Sequence, residues 1–412
     1  LPDAPGLRSA PFHVADRRMF SEPRLEGVPH LQVVLEAPVH TLEVGADGMV
    51  RRAHVRTVDG AELVVAADAF VLAAGTASTC RLLLGSEGAG PGGLANSSGL
   101  VGRGLMDHPL VTAGWLTPDD ARCEELAAFG ATIVDGDLVL PKLVPEPELV
   151  RRDVTCNCWA TLIPRTWSAR QLRTMSALRK TGERTDAMRA LGSVMTGLRE
   201  RTMPKGLGGK LLTMAGGTDD LVHEWLRRRG RLQPLWSLET PFSLSEGSPA
   251  AARSLEIVQC VEQLPDDENR LTLTDRLDPA GRRQAQVHWR WSKEDSRREQ
   301  AFARLVRDSL DAAGLGEVTA PITQGNRHVK QWSAHHLSGG TRMSASPSTG
   351  VVDSRGRCHD HPNLWIAGTS VFPTNGCANP TLSAVATAVI AADDIVAGLA
   401  PPRAEGPEHL HA

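Results

Sequence analysis

Hydrophobic and polar residues alternate between residues 29 and 75 in a way that predicts short β-strands. Three segments, "HLQVVLEAPVHTLEV", "MVRRAHVRTV" and "AELVVAADAFVLAAG", are separated by Asp47-Gly48 and Asp59-Gly60, dipeptides that favour tight hairpin turns. The pattern therefore predicts an antiparallel meander that leads into a buried strand at residues 69–73.

A helix is predicted directly after this strand. Gly75 follows the strand, and the run "TASTCRLLLGS" has apolar residues suited to a helix packed on a sheet. A strand, a turn of small residues and a helix, in this order, form the ligand-facing edge of a parallel α/β layer. The sequence therefore predicts such an edge near Gly75.

The middle of the chain mixes the two periodicities. Strand patterns lie in residues 110–165, with a hairpin signal at Asp135-Gly136, and in residues 253–291. Helical spacing of Arg, Leu and Met predicts two or three helices over residues 168–230, and another helix is predicted over residues 293–313. We expect a sheet with helical insertions, an arrangement that can enclose a substrate.

The strongest local signals lie near the C-terminus. "NLWIAG" (363–368) predicts a short buried strand that ends in glycine, and "GCANPTL" (376–382) leads into the periodic pattern of a long helix. Asn379 is a favoured N-cap residue, and Pro380 is favoured at the first helical position. A helix start beside a strand end attracts anions and electron-rich ligand edges, so this segment is a candidate binding site.

Composition narrows the class of protein. With 412 residues the chain is long enough for two or more domains, and its net charge of −3 predicts no electrostatic affinity for nucleic acid or membrane. Seven cysteines without a framework spacing favour free thiols in a reducing compartment, so we expect a cytoplasmic protein. We expect no membrane span, which needs roughly 18 apolar residues, because Asp393-Asp394 interrupts residues 382–399.

Two sequence patterns resemble nucleotide-binding and zinc-binding motifs, but their context does not support such sites. The GxGxxG match at residues 88–93 follows a helix rather than a strand, so it predicts a surface loop. "CHDH" (358–361) and Cys156-Asn157-Cys158 lack the ligand-pair spacing of zinc sites. We therefore expect no metal site.

Six stretches of the chain, taken in order, resemble the glucose–methanol–choline (GMC) family of FAD-dependent oxidoreductases. They are "FVLAAGTASTCRLLLGS" (70–86), "GLANSSGLVGRGLMDHP" (93–109), "VEQLPDDENRLTL" (261–273), "HLSGGTRM" (336–343), "GVVDSRGR" (350–357) and "NLWIAGTSVFPTNGCANPTLSAVATAVIAADDI" (363–395). The wording of "HLSGGTRM" and "GCANPTL" is most similar to pyranose-oxidase-like members and to bacterial sugar or polyol dehydrogenases.

The resemblance implies an α/β fold of mixed α/β and α+β character. It implies a cofactor domain of the FAD/NAD(P)-binding type and a substrate-binding domain with an antiparallel sheet and helical insertions. Residues 1–109 would be the remaining part of the FAD-binding domain with the meander, and residues 110–330 the substrate-binding domain. Residues 331–412 would be the catalytic segment that returns to the FAD-binding domain, and Asp107-His108-Pro109 a turn that leaves it.

The resemblance also implies site residues. His336, six residues before Arg342, matches the family's catalytic histidine, and Asn379 matches its second catalytic position. Taken alone, Asn379 is better explained as an N-cap, and the resemblance favours a site role. FAD would be bound at the two strand ends and at the start of the last helix, by Ala74, Gly75, Gly368, Thr369, Asn379, Pro380 and Thr381. Substrate would contact His335 and Trp332, with Trp115 and Trp159 as further candidates for lining a sugar site.

The chemistry agrees with this assignment. Oxidation of an alcohol removes the hydroxyl proton while a hydride leaves carbon. Histidine is the side chain best suited to accept a proton near neutral pH, and the flavin takes the hydride. We therefore expect oxidation of a hydroxyl on a sugar, glycoside or polyol, with His336 as base. The alternatives are a simple alcohol, choline-like or sterol substrate, and a noncatalytic binding subunit.

The phosphate-binding unit of the family has no counterpart in the sequence. Complete members open with a strand, a GxGxxG turn and a helix that cradle the FAD pyrophosphate. No such unit is found in the 412 residues. Three explanations stay open: an incomplete copy of a longer enzyme, one half of a split enzyme whose second chain supplies this unit, or a noncatalytic relative. We also expect an exposed sheet edge and apolar face where that unit belongs.

Overall fold

The structure is a computed structural model. It describes residues 6–14, 28–57, 60–86, 92–119, 126, 129, 132–134, 137–165, 190–191, 193–195, 203, 206–216, 254–320, 331–332 and 335–399. The strands are β1 (Leu7–Val14), β2 (Val39–Val44), β3 (Val50–Arg56), β4 (Glu62–Ala66), β5 (Phe70–Leu72), β6 (Leu110–Pro118), β7 (Thr132–Val134), β8 (Asp137–Pro145), β9 (Cys158–Arg165), β10 (Ser254–Val261), β11 (Arg270–Leu277), β12 (Arg283–His288), β13 (Gly316–Thr319), β14 (Gln331–Trp332) and β15 (Leu364–Ile366). The helices are α1 (Thr76–Gly85), α2 (Pro147–Arg151), α3 (Leu207–Gly216), α4 (Lys293–Ala312) and α5 (Thr381–Leu399), with a 3-10 turn at Thr369–Val371.

The chain divides into two compact units. Unit 1 contains Leu1–Arg18, Leu110–Cys260 and Arg297–Trp332, and unit 2 contains Met19–Pro109, Val261–Ser296 and Ser333–Ala412. The expected boundaries after residues 109 and 330 lie close to two of these division points. The expected division differs elsewhere, because β1 pairs with β8 of unit 1. The β11–β12 hairpin likewise joins unit 2, where the Leu271 amide donates to the Gly102 carbonyl.

Unit 1 is built on an antiparallel sheet, as predicted. Its strands follow the order β1-β8-β9-β10-β6-β13, with β14 paired to β6 and β7 paired to β8. Every residue of β10 is buried, which suits a central strand. The predicted turn at Asp135-Gly136 lies outside the described residues, between the antiparallel strands β7 and β8. Of the helices predicted over residues 168–230, the structure describes α3, and most of that range also lies outside the described residues.

Trp115 and Trp159 are core residues of unit 1. Their side chains are 1% and 5% exposed. The Lys142 ammonium lies 4.0 Å from the centroid of the Trp159 ring, a favourable cation–π distance. The structure therefore places these two tryptophans in the core and not in the wall of a sugar site, because residues 110–116 of β6 and 158–163 of β9 are all buried, on both faces of the sheet.

The predicted meander forms in unit 2. Strands β2, β3 and β4 pair in antiparallel fashion, and Gly48 adopts a φ of +77° in the predicted Asp47-Gly48 turn. The first strand begins at Val39, later than the alternating pattern predicted. His30 and Glu36 have φ values of +66° and +54°, and such left-handed residues interrupt a strand.

A parallel pair of short strands carries the core of unit 2. Strands β5 and β15 pair in parallel, with Leu364 opposite Phe70 and Ile366 opposite Leu72. All four side chains are buried in one apolar cluster with residues of β2, β3 and α1. Helix α1 begins directly after Gly75, which confirms the predicted order of strand, turn and helix. The chain is thus a mixed α/β fold with antiparallel sheets.

Helix α5 is largely exposed. Leu382 and Val396 expose 82% and 69% of their surface. By length and composition α5 is the one helix in the described part of the chain that could cross a membrane, so its two aspartates do not exclude this as expected. One of them, Asp394, accepts a hydrogen bond from Trp365 Nε1 at 3.0 Å. This contact ties α5 to strand β15.

Candidate active site

The candidate site in unit 2 lies where the parallel strands β5 and β15 end. Ala74 and Gly75 follow β5, and Gly368 and Thr369 follow β15. Gly75 and Gly368 have φ values of +76° and +128°, and a Cβ atom at either position would meet nothing within 4 Å. The backbone is therefore open here, at the edge where open α/β sheets bind ligands.

Two threonines fix the chain beside His336 at these strand ends. Thr76 Oγ1 donates to the Leu337 carbonyl at 2.9 Å, and Thr369 Oγ1 donates to the same carbonyl at 2.8 Å. Thr76 begins α1 and Thr369 begins the 3-10 turn after β15. The residue after His336 is thus tied to both strand ends at once.

The glycines after His336 allow a close backbone approach. The Met106 and Ser338 backbones exchange two hydrogen bonds of 2.9 Å. A Cβ atom at Gly339, whose φ is +78°, would lie 2.0 Å from the Gly104 carbonyl oxygen. The "HLSGG" run therefore needs glycine so that it can pass directly beside residues 102–106.

His336 is paired with a second histidine, His108. His108 Nε2 lies 2.6 Å from His336 Nδ1, and the two rings are edge to face at an angle of 83°. His108 Nδ1 lies 3.2 Å from the Gly376 carbonyl oxygen. His108 is buried and His336 is half-buried. The predicted base therefore has an imidazole partner that the sequence did not indicate.

Asp107 holds the backbone of both histidines. Its Oδ1 accepts from the His108 amide at 2.8 Å and from the His336 amide at 3.3 Å. The Asp107 amide in turn donates to Gln263 Oε1 at 3.1 Å. One buried carboxylate thus fixes two segments that are 228 residues apart at the histidine pair.

Burial keeps both imidazoles neutral near pH 7. Desolvation is the largest influence on His336 and lowers its pKa below 6.5, with a further lowering from His335 and an opposing effect from Asp107. Desolvation also lowers the pKa of His108, and the neighbouring His336 lowers it further. A neutral imidazole has a lone pair that can accept a proton.

The loop before α5 is attached to the histidine pair through Gly376. Its amide donates to Glu262 Oε1 at 3.1 Å, and its carbonyl faces His108 Nδ1. Asn375, next to it, is 7% exposed, and neither polar atom of its side chain has a hydrogen-bond partner in the described part of the chain. A buried amide in this state is a candidate ligand contact.

Asn379 is exposed, and its side chain makes no hydrogen bond to the described residues. Helix α5 begins at Thr381, and the Pro380 carbonyl accepts the hydrogen bond of the Ala384 amide. Pro380 therefore occupies the cap position, one residue later than predicted, because its carbonyl is the first helical acceptor. The Asn379 amide is not used to cap the helix and can contact a ligand.

The structure describes the exposure of the His335 side chain but only the backbone of Trp332, the other predicted substrate residue. His335 is exposed and adopts a φ of +62°, a left-handed conformation that is uncommon outside glycine. Trp332 lies in β14 of unit 1, where its backbone pairs with Leu110, and its side chain lies outside the described part.

The residues of "CHDH" have separate structural contacts. His361 Nδ1 lies 2.8 Å from the Gly48 carbonyl, and His361 Nε2 accepts from the Ala95 amide at 3.2 Å. Cys358 is buried, which raises the pKa of its thiol. Over the described ranges, no three His, Cys, Asp or Glu side chains are grouped so that they could hold a metal ion.

Residues 265–388, which include His336 and Asn379, match the family model described as GMC oxidoreductase. This segment, less than a third of the chain, is similar to the GMC oxidoreductase family. Its members are FAD-dependent oxidoreductases, as the sequence resemblance implied.

Two relatives match along most of this chain. The fructose dehydrogenase large subunit of Gluconobacter japonicus is 26% identical over 370 residues, which are 89% of this chain and 54% of that protein. The 2-methyl-1,2-propanediol dehydrogenase of Mycolicibacterium austroafricanum is 26% identical over 361 residues, 87% of this chain and 52% of that protein. The chain thus spans about half the length of these relatives.

The fold is also similar to a solved structure. A crystal structure of formate oxidase aligns with a TM-score of 0.50 at 20% sequence identity, covering 91% of this chain and 62% of that one. At this identity the likeness concerns the fold alone.

Proposed function

We propose that this chain carries the catalytic region of an FAD-dependent oxidoreductase that oxidises a hydroxyl group of a sugar, glycoside or polyol. The observation that carries the proposal is the position of His336, whose neighbour Leu337 is bonded to Thr76 and Thr369 at the open ends of β5 and β15, inside the segment that matches the GMC oxidoreductase model. The relatives named fructose dehydrogenase and 2-methyl-1,2-propanediol dehydrogenase support the substrate class.

The residues at this edge fit a flavin. The backbone around Ala74, Gly75 and Thr369 is open to a bound group. Gly75 also immediately precedes the N-terminal, positive end of helix α1. In the loop before α5, Asn375 is buried, and its side-chain donor and acceptor atoms have no partner among the described residues. With Gly368, Pro380 and Thr381, these residues would hold FAD, which accepts a hydride when bound.

His336 would act as the base in this reaction. Its neutral imidazole accepts the proton of the substrate hydroxyl, which places negative charge on the substrate oxygen. The exposed Asn379 amide would donate a hydrogen bond to that oxygen and orient it. His335 and Trp332 are kept as proposed substrate contacts.

A further part of the FAD-binding domain is needed to complete this site. Helix α5 and strand β4 both expose apolar side chains, among them Leu382, Val396 and Val64. Exposed apolar surface on this scale is typical of a face that is covered by another segment. We propose that the covering segment is the phosphate-binding part of the cofactor domain, supplied by the same protein or by a second chain. A cytoplasmic location stays a prediction.

The test is substrate-dependent reduction of bound flavin. The chain is produced with the complementary FAD-binding segment, purified as a yellow holoenzyme and mixed without oxygen with fructose, other sugars, polyols, choline or a sterol. The proposal predicts bleaching by a sugar or polyol. Bleaching by choline or a sterol would replace the substrate class, and a preparation that never binds flavin would leave only a binding subunit.

A further inference from the structure

We propose that His108 is a positioning residue that fixes the tautomer of His336 and leaves His336 Nε2 as the proton-accepting atom. The inference rests on the proposed function for the role of His336 as base. The hydrogen bonds of the pair carry the argument, because a carbonyl oxygen at one end defines the direction of every hydrogen bond that follows.

The Gly376 carbonyl decides the tautomer of His108. A carbonyl oxygen can only accept, so the 3.2 Å contact requires that His108 Nδ1 carries the proton. A neutral imidazole has one protonated nitrogen and one lone pair. His108 Nε2 must therefore be the acceptor in its contact with His336.

His336 then has a defined tautomer as well. The 2.6 Å contact between His108 Nε2 and His336 Nδ1 needs one donor, and that donor is His336 Nδ1. The lone pair of His336 consequently lies on Nε2, which has no hydrogen-bond partner among the described residues. The opposite arrangement needs His108 protonated on both nitrogens, which burial of this side chain disfavours.

The same contacts connect the base to the loop that carries Asn379. Glu262 accepts from the Gly376 amide, and the Gly376 carbonyl accepts from His108. Gly376 precedes Asn379 by three residues. Through its single imidazole ring, His108 therefore orients His336 and restrains the loop that carries Asn379.

The direct test is imidazole ¹⁵N NMR of the 412-residue chain labelled at histidine, near pH 7. The His336 signals are assigned by their loss in His336→Gln. The proposal predicts a protonated Nδ1 and an unprotonated Nε2 on His336. A protonated Nε2, or a fast mixture of both tautomers, would overturn it.

Variants at His108 separate positioning from general structural support. His108→Phe should leave His336 as a mixture of tautomers and lower kcat in the holoenzyme by about 10- to 100-fold, as loss of a group that orients a histidine does. In His108→Gln, the side-chain oxygen can still accept a hydrogen bond from His336 Nδ1. This variant should restore most of the single-tautomer spectrum of His336 and most of kcat. The wild-type spectrum decides the proposal if His108→Phe does not fold.

His361→Phe is the matched control. It removes a buried histidine that also bonds through both nitrogens, to Gly48 and Ala95, away from His336. It should leave the His336 tautomer unchanged. If His361→Phe and His108→Phe alter the His336 signals equally, the effect is general and the positioning role is wrong.

Failure of this inference and failure of the proposed function give different results. A wrong tautomer together with loss of activity in His336→Gln would remove the role of His108 and keep the base. The predicted tautomer together with full activity in His336→Gln would keep the hydrogen-bonded pair and remove its role in catalysis.

Discussion

The tripeptide Asp-His-Pro occurs twice in this chain, at residues 107–109 and 360–362, with different consequences. In both copies the histidine is buried and faces a backbone carbonyl through Nδ1: Gly376 for His108 and Gly48 for His361. The difference lies at Nε2. His361 accepts from a backbone amide, whereas His108 accepts from the imidazole of His336.

This difference teaches that the partner, and not the motif or its burial, decides what a buried histidine does. A backbone amide has a fixed proton, so the bond of His361 can only stabilise the fold. An imidazole has two possible proton positions, so the bond of His108 selects between chemical states of a neighbour. The aspartates of the two tripeptides also bind different partners. Asp107 accepts a hydrogen bond from the His336 amide, and Asp360 accepts one from the Ser97 amide.

The largest expected effect comes from the base itself. His336→Gln should lower the rate of flavin reduction in the holoenzyme by about 10²- to 10⁴-fold, since it removes general base catalysis. Stopped-flow absorbance with saturating sugar or polyol measures this. A rate within threefold of wild type would mean that His336 is not the base. The two tripeptides would then not differ in function.

Asn379→Ala should have the next largest effect. Its amide is proposed to donate to an oxygen that gains negative charge, and a hydrogen bond to a charged group is worth ~2 kcal/mol, or roughly 30-fold in kcat. The prediction is checked by steady-state kinetics, with circular dichroism to show that α5 is retained. An unchanged kcat would return Asn379 to a role at the helix start.

The two aspartates offer a smaller, matched contrast. Asp107→Ala removes the acceptor of the His108 and His336 amides and should lower kcat about tenfold, from ~1.5 kcal/mol of lost hydrogen bonding. Asp360→Ala removes contacts to Ser97 and should change kcat by less than about twofold. Equal losses in the two variants would contradict the distinction between the tripeptides.

The smallest effect on catalysis is expected at His361. His361→Phe should lower the free energy of unfolding by ~1–3 kcal/mol, because the Gly48 carbonyl and Ala95 amide lose their partner. Urea titration measures the stability, and kcat per mole of bound flavin should stay at the wild-type value. A lower kcat in fully folded protein would mean that both tripeptides serve the site.

The sequence predicted the parts of this molecule that depend on local pattern. Apolar alternation and the Asp47-Gly48 turn located the meander, and the run after Gly75 located α1. The start of the first strand was wrong because the backbone of His30 and Glu36 is left-handed, which no alternation reveals. Tryptophans 115 and 159 were misplaced because an aromatic residue suits a core and a pocket wall equally well.

The role of His108 could not be predicted, for a physical reason. Its decisive contact joins residues 228 positions apart in the chain, and its tripeptide is identical to one that serves only the fold. His336 and the two strand-end segments, in contrast, lie in sequence motifs that can be recognised by their residues and spacing. Local signals indicated the proposed base, and only the three-dimensional structure placed His108 against it.

The central claim is that catalysis depends on a neutral His336 whose pKa burial has lowered. The most direct test is the pH dependence of kcat/KM for flavin reduction, which reports the base of the free enzyme. Because the base must be unprotonated, activity should be constant at neutral pH and fall only on the acid side, with a midpoint below 6.5. That limb should be absent in His336→Gln. A midpoint at or above 6.5, or a limb that persists in His336→Gln, would contradict the account.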